Sequence, residues 1–353
     1  MKDHSRILIC YNSPVSVFPV YNGKPSDNTA VINDLSETAF SKEISSVKKS
    51  MQEYFADVKT FAIDGDVEKN ISKIINYSPD VILNFVESVD GISSYEYCMA
   101  ALFELLNVEF TGNKPLSLGN CLNKSLTKDI LRANNINTPN AIVIDKAETL
   151  NKNNFKLNFP VILKLLTEDA SIGISEFSVV KNFKDLLQHV EFLIATYKQN
   201  IIAEEYIDGR ELNAAVLGDR VLPISEIKFD GLPDGLPKIV TYDGKWIADS
   251  VYYENTKPKC PADLDARTKK KVEAVALRAF NALGCRDYAR VDIRLDENGI
   301  PFVIEVNPNP DISTDSGFAR AAAADGLSHK ELLFTITKFA LSRRINDTQI
   351  KAS

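Results

Sequence analysis

Four polar residues recur at regular spacing in the segment Arg290-Val-Asp292-Ile-Arg-Leu-Asp-Glu-Asn298-Gly299-Ile-Pro-Phe-Val-Ile-Glu305-Val-Asn307. Asn298-Gly299 between two alternating runs predicts a hairpin with a two-residue type I′ turn. With those two residues at its centre, Asp292 faces Glu305 and Arg290 faces Asn307. Side chains alternate along a strand, so these four share one face, and Val291, Ile293, Ile304 and Val306 form the apolar one. Two carboxylates directly across an antiparallel pair lie about 4.5–5.5 Å apart and repel. A divalent cation between them reverses that sign. Asp, Glu and Asn offer hard oxygen, which favours Mg²⁺ or Mn²⁺ over zinc. The alternative is a solvated face with an arginine–carboxylate network; the four together, followed by Pro308-Asn309-Pro310, favour the metal.

A second group with chemical potential is Lys164, which interrupts the apolar run Val161-Ile-Leu-Lys-Leu-Leu166. A buried ammonium there needs a partner. Other chemistries are poorly supported. The three histidines (His4, His189, His329) are far apart, and the five cysteines include no Cys-x-x-Cys. Histidine triads, thiolate zinc and a disulfide framework are therefore unattractive, and a reducing cytoplasm is the expected location.

The elements that hold these groups follow from periodicity. Ser5–Cys10 and Val81–Phe85 read as buried strands, and Glu43–Phe55 and Tyr95–Leu106 as helices. Strand–helix alternation predicts an open parallel α/β domain covered on both faces. A polar stretch from Gly112 to Cys121 suggests a boundary. Beyond it come a helix (Ser125–Asn134), strands (Ala141–Ile144, Phe159–Leu166), a helix (Phe183–Tyr197) and a strand (Ile201–Tyr206). Phe229–Pro258 reads as long loops, Asp265–Leu283 as a helix closing at Gly284, and Lys330–Leu341 as a terminal helix. A chain of 353 residues with net charge −7 suits two or three domains and argues against a broad nucleic-acid or anionic-membrane surface. No apolar run reaches transmembrane length, and Ile7–Cys10 is too short for a signal-peptide core.

Five blocks in order make the chain similar to the ATP-grasp superfamily, most closely the D-alanine–D-alanine ligase group. They are Asn123-Lys124-Ser-Leu-Thr-Lys128, Phe159-Pro-Val-Ile-Leu-Lys164 with Ala170-Ser-Ile-Gly-Ile174, Glu204-Glu-Tyr-Ile-Asp-Gly-Arg-Glu211, Tyr242-Asp-Gly-Lys245-Trp, and Gly284 to Ile312. The resemblance implies an N-terminal α/β domain (1–118), a central ATP-grasp lobe (119–205) and a C-terminal lobe carrying the metal hairpin (206–345). It also implies roles. Lys124, Lys164 and the catalytic Lys245 would neutralise ATP phosphates, and Ser171 and Gly173 would offer loop N–H groups to them. Glu204 and the backbone of Glu205 and Ile207 would bind adenine, and Glu211 the ribose. Asp292, Glu305 and Asn307 would hold two magnesium ions, and Arg290 would stabilise an acyl phosphate and the tetrahedral intermediate. Ser316 matches the serine that binds the acceptor carboxylate.

The chain departs from that group on its substrate elements. The group's glutamate after the first strand, which binds an amino group, has no counterpart in Cys10-Tyr-Asn-Ser-Pro-Val-Ser; a loose alignment puts Ser41 there. Its His-Gly is replaced by Asn84-Phe85-Val86-Glu87, and Asp311 stands where it has glycine. The implied activity is an ATP-dependent carboxylate–amine ligase acting on altered amino acids or short peptides, with no nucleic-acid or membrane partner. A homodimer is the group's expectation. The rivals are a non-catalytic nucleotide-binding module and an ATP-grasp kinase.

Overall fold

The computed structural model describes residues 2–25 and 34–352, and the side chains of all of these except 36–42 and 345–352. Strands β1 (Asp3–Asn12), β2 (Phe55–Ile63), β3 (Val81–Phe85) and β4 (Glu109–Phe110) form a parallel sheet in the order β2-β1-β3-β4. In β1, Ile7 and Ile9 point to one face and Leu8 and Cys10 to the other, all fully or nearly fully buried. Helix α1 (Leu35–Tyr54) and the C-terminal helices cover the first face, and α2 (Val67–Tyr77) and α3 (Tyr95–Leu105) the second. Helix α1 starts earlier than its apolar spacing suggested. The expected boundary is itself partly helical, as α4 (Pro115–Leu122): proline starts it, and Leu118, Cys121 and Leu122 recur at helical spacing on its buried side.

Helix α5 (Lys124–Ala133) leads into an antiparallel sheet of β5 (Ala141–Ile144), β6 (Val161–Leu165), β7 (Val179–Val180) and β8 (Ile201–Glu205), ordered β5-β8-β6-β7. Helix α6 (Phe183–Tyr197) backs it with Leu186, Val190, Leu193 and Tyr197. The third sheet is built from β9 (Arg210–Leu217), β10 (Arg220–Val221), β11 (Ser225–Lys228), β12 (Lys257–Lys259), β13 (Tyr288–Leu295) and β14 (Pro301–Asn307). Its order is β12-β11-β9-β13-β14, with β10 on β9. The stretch expected as long loops carries two short helices, α7 (Tyr242–Trp246) and α8 (Val251–Asn255), started by the N-caps Thr241 and Ser250. Helix α9 (Ala266–Ala282) packs on this sheet and ends before Gly284, at φ +68°. Helices α10 (Gly317–Ala324) and α11 (His329–Ala352) return to the first sheet. Among the described residues no helix is long and apolar enough to cross a membrane.

The hairpin β13–β14 differs from its sequence expectation in two places that compensate. Asp296 N–H donates to Ile300 O (3.1 Å), and only Gly299 of the turn has positive φ (+68°), so the loop holds three residues rather than two. A register shift beyond Asp292 then absorbs the additional residue, pairing Ile293 with Val303. The pairs Asp292–Glu305 and Arg290–Asn307 stand as expected. The apolar face is corrected: Val291, Ile293, Val303 and Val306 are buried in the core, whereas the displaced Ile304 lines a cleft.

Candidate active site

A cleft of about 780 Å³ opens where the three sheets meet, and apart from Gly173 the site residues the resemblance implied line it. At its nucleotide end, β6 and β8 pair Ile162 with Glu204, so Lys164, two residues further, shares the glutamate's face. Glu204 is 1% exposed, with Lys164 Nζ at 3.0 Å and Lys128 Nζ at 3.2 Å. Burial opposes the charge on Glu204, yet Lys128 and Lys164 hold its carboxyl below the usual range. Lys128 is pulled down to about 8 by burial, against the pull of Glu204. The Glu205 side chain turns outward to Asn140 and Asn158, and its N–H donates to Asn140 O (2.9 Å). The Ile207 N–H has no partner among the described residues. Glu211 faces Arg294 across β9–β13, 3.4 Å apart, and burial raises its carboxyl despite that cation.

Three lysines approach the middle of the cleft from different elements. Asn123 caps α5 by accepting from Ser125 and Leu126 N–H, and Lys124 N–H donates to Leu166 O (3.2 Å), tying the helix start to the end of β6. Lys124 Nζ reaches Glu305 Oε1 (3.0 Å) and Asp169 Oδ1 (3.2 Å), which hold its ammonium up against burial. The Lys245 ammonium on α7 makes no hydrogen bond or ion pair with any described residue; burial, and then Arg290, lowers its affinity for a proton.

The loop after β6 departs from expectation. Ser171 sits at φ +61° with its hydroxyl donating to Val240 O (3.0 Å). The Gly173 N–H, expected to face phosphate, instead donates to Tyr21 O (2.8 Å). Residues 13–25, inserted after β1, lie against this loop: Gly23 N–H donates to the Tyr197 hydroxyl, and Lys24 bridges Glu176 (3.0 Å) and Asp243 (2.7 Å). Of the N–H groups of 170–174, those of Ala170 and Ser171 are left without partners.

On the hairpin, Arg290 grips Asp292 with two parallel bonds, Nε to Oδ1 (2.8 Å) and Nη2 to Oδ2 (2.9 Å). Asn213 and Asn307 amides donate to the same carboxylate at 2.7 and 2.9 Å. Glu305 is held well below the usual carboxylate range by Lys124, which lies 3.0 Å from its Oε1, and by Lys164, against its burial. Among the described residues no three His, Cys, Asp or Glu side chains converge as metal ligands. The candidate donors are two carboxylates and an amide, Asp292, Glu305 and Asn307. They fit a hard divalent cation: all three offer oxygen, and the Asn307 amide oxygen makes no hydrogen bond among the described residues.

At the substrate end, Asp311 accepts from Ser313 N–H (2.8 Å) and Oγ (2.9 Å), and Ser316 caps α10 by accepting from Ala319 N–H (3.1 Å). Glu43 on α1 binds Thr314 through N–H and Oγ1 (3.2 and 2.9 Å). The Ser41 side chain lies outside the described residues. Sequence reasoning assigned no role to Lys128, Asp169, Asn213 or Glu96, all now inside the site. A polar Asn213 within the apolar strand Leu212-Asn-Ala-Ala-Val-Leu217 was a readable signal; Lys128 on an amphipathic helix was not, since such lysines are ordinarily exposed.

The sequence model described as D-ala D-ala ligase C-terminus matches residues 130–338. A D-alanine–D-alanine ligase of Nitrosomonas europaea is 32% identical over 67% of this chain and 73% of its own length. An uncharacterized protein of Sinorhizobium fredii, y4sG, is 33% identical over 74% of this chain and 75% of its own. Among solved structures, a Bacillus anthracis D-alanine–D-alanine ligase complexed with ATP superposes with a TM-score of 0.71 at 24% identity, over 98% of this chain and all of that one.

Proposed function

Because the chain belongs to the D-alanine–D-alanine ligase family, we propose that it joins a carboxylate to an amine through an acyl phosphate, at the cost of ATP, and that its substrates are not two D-alanines. The observation that carries this reading is the convergence of Lys124, Lys164, Lys245 and Arg290 on one cleft opposite Asp292, Glu305 and Asn307. Such a cleft neutralises a triphosphate, and a reaction run by positioning and charge requires no protein nucleophile.

Adenine would lie over the β8 end, its ring nitrogen accepting from the Ile207 N–H and its amino group facing Glu204 or the Glu205 carbonyl. Glu211 is suited to the ribose hydroxyls. Glu204 has a second task, keeping Lys164 charged and aimed. A carboxylate oxygen of the donor attacks the γ-phosphorus, the bond to ADP breaks, and an acyl phosphate forms. The acceptor amine, having lost a proton, attacks the acyl carbon, and phosphate leaves as the tetrahedral intermediate collapses. Arg290, whose outer nitrogen is not used by Asp292, is positioned to stabilise the oxyanion, and the free Lys245 to follow the migrating phosphate. A divalent cation held by Asp292, Glu305 and Asn307 would supply charge neutralisation between the phosphates.

The altered substrate rests on Ser41 and Asp311. A cationic amino group loses its family partner at Ser41, and Asp311 adds negative charge beside Arg290. The test is phosphate release from ATP by purified protein against panels of D- and L-amino acids and dipeptides. Release that needs both an acid and an amine supports the reading; a phosphorylated product without free phosphate identifies a kinase instead.

A further inference from the structure

Among the buried carboxylates of the cleft, Glu96 has no part in the scheme above. Glu96, on the first turn of α3, is 9% exposed and lines the substrate end. One of its oxygens accepts from Asn309 Nδ2 (3.0 Å). Asn309 is itself fixed, donating to Val86 O (3.2 Å) and accepting from the Tyr288 hydroxyl (3.0 Å). The other oxygen of Glu96 bonds nothing among the described residues, and no lysine, arginine or histidine forms an ion pair with it. A desolvated carboxyl without a counter-ion is costly. Burial pushes it up to about 8, against the Asn309 bond, and the nearby Asp169 adds to the rise. Asp169 pairs with Lys124 (3.2 Å), and Glu96, Asp169 and Lys124 line the same cleft.

We propose that Glu96 receives the ammonium group of an amine substrate, taking over the recognition that Ser41 cannot provide. The proposal rests on the ligase reading above. Its physical basis is that a cation entering beside Glu96 supplies the missing counter-ion in a site shielded from water, and Asn309 fixes the direction from which it must come. The substrate class is a primary α-amine, such as an amino acid or the N-terminus of a short peptide, bound by its charge before it loses a proton.

The test is binding of amino-acid amides of both hands to the full chain with ADP and Mg²⁺, by titration calorimetry, using wild type and Glu96→Gln. N-acetylated amides serve as the uncharged control. Glutamine can still accept from Asn309, so the loop anchor survives and folding is preserved. Wild type should bind at least one free amine and none of the acetylated forms; Glu96→Gln should bind that amine about tenfold or more weakly, with ADP affinity unchanged. Equal amine affinity in the two proteins, or no amine-dependent binding in wild type across the panel, overturns the proposal. The ligase reading fails separately, when no acid and amine pair releases phosphate even though Glu96-dependent binding is present.

Discussion

Asp292 and Glu305 stand opposite each other across the hairpin, yet each carboxylate is neutralised by a different cation, Asp292 by Arg290 and Glu305 by Lys124. Their repulsion is relieved by the protein itself, so the fold does not need an ion to form. Glu305→Gln, which leaves Lys124 paired with Asp169, should therefore still fold while ATP turnover falls below detection, as measured by phosphate release at saturating Mg²⁺. Wild-type turnover would remove Glu305 from the metal site.

Glu204 and Lys164 should respond unequally to substitution. Lys164→Met leaves Glu204 paired with Lys128, so stability should change little while ATP affinity drops markedly. Glu204→Ala leaves two cations buried without a partner, a loss on the order of 3–5 kcal/mol. Thermal denaturation and nucleotide titration of both variants check the contrast; a larger stability loss in Lys164→Met would make that lysine structural.

Gly23 sets how closely residues 13–25 approach the phosphate loop. Its φ is +67°, and a Cβ there would lie 2.2 Å from the Gly173 carbonyl oxygen. Backbone cannot yield as a flexible side chain can, so Gly23→Ala should cost on the order of 1–3 kcal/mol and raise the KM for ATP by displacing the loop. An unchanged melting temperature and KM would mean that this contact is dispensable.

His189, buried on α6 with an unbonded Nε2, has its proton affinity lowered by burial to about 4. The unfolded chain binds a proton near pH 6.5 and the folded one does not, so stability is full above pH 6.5 and falls as pH drops towards 4. The loss at this site is on the order of 3 kcal/mol. Denaturant melts of His189→Gln and wild type between pH 7 and 4 should converge as pH falls; parallel curves would contradict the assignment.

Much of the fold and the site was legible because local pattern and chemistry coincide. Apolar runs gave the strands, and Lys164 stood out as a charge within one. The hairpin register emerged correctly through two compensating one-residue differences, since alternation reports face and is blind to loop length and bulges. What stayed hidden was long-range. No periodicity reveals that residues 13–25 would occupy the Gly173 N–H, that Lys128 would share Glu204 with Lys164, or that Glu96 would be brought to Asn309. Those contacts depend on how three sheets meet.

D-alanine alone should be a poor substrate pair. The absent amino-binding glutamate and the charge of Asp311 together should lower kcat/KM by roughly one to two decades relative to the best pair in a panel of amino acids and dipeptides. Highest activity on D-alanine would show that neither substitution governs selection.

A donor carboxylate that passes through an acyl phosphate hands one of its oxygens to the departing phosphate, and isotope transfer reads this out. With the donor acid that the phosphate screen selects, labelled in its carboxylate with a heavy oxygen isotope, mass analysis of the released phosphate should find one labelled oxygen for each amide formed. Label-free phosphate, or phosphate retained on the product, would contradict the account.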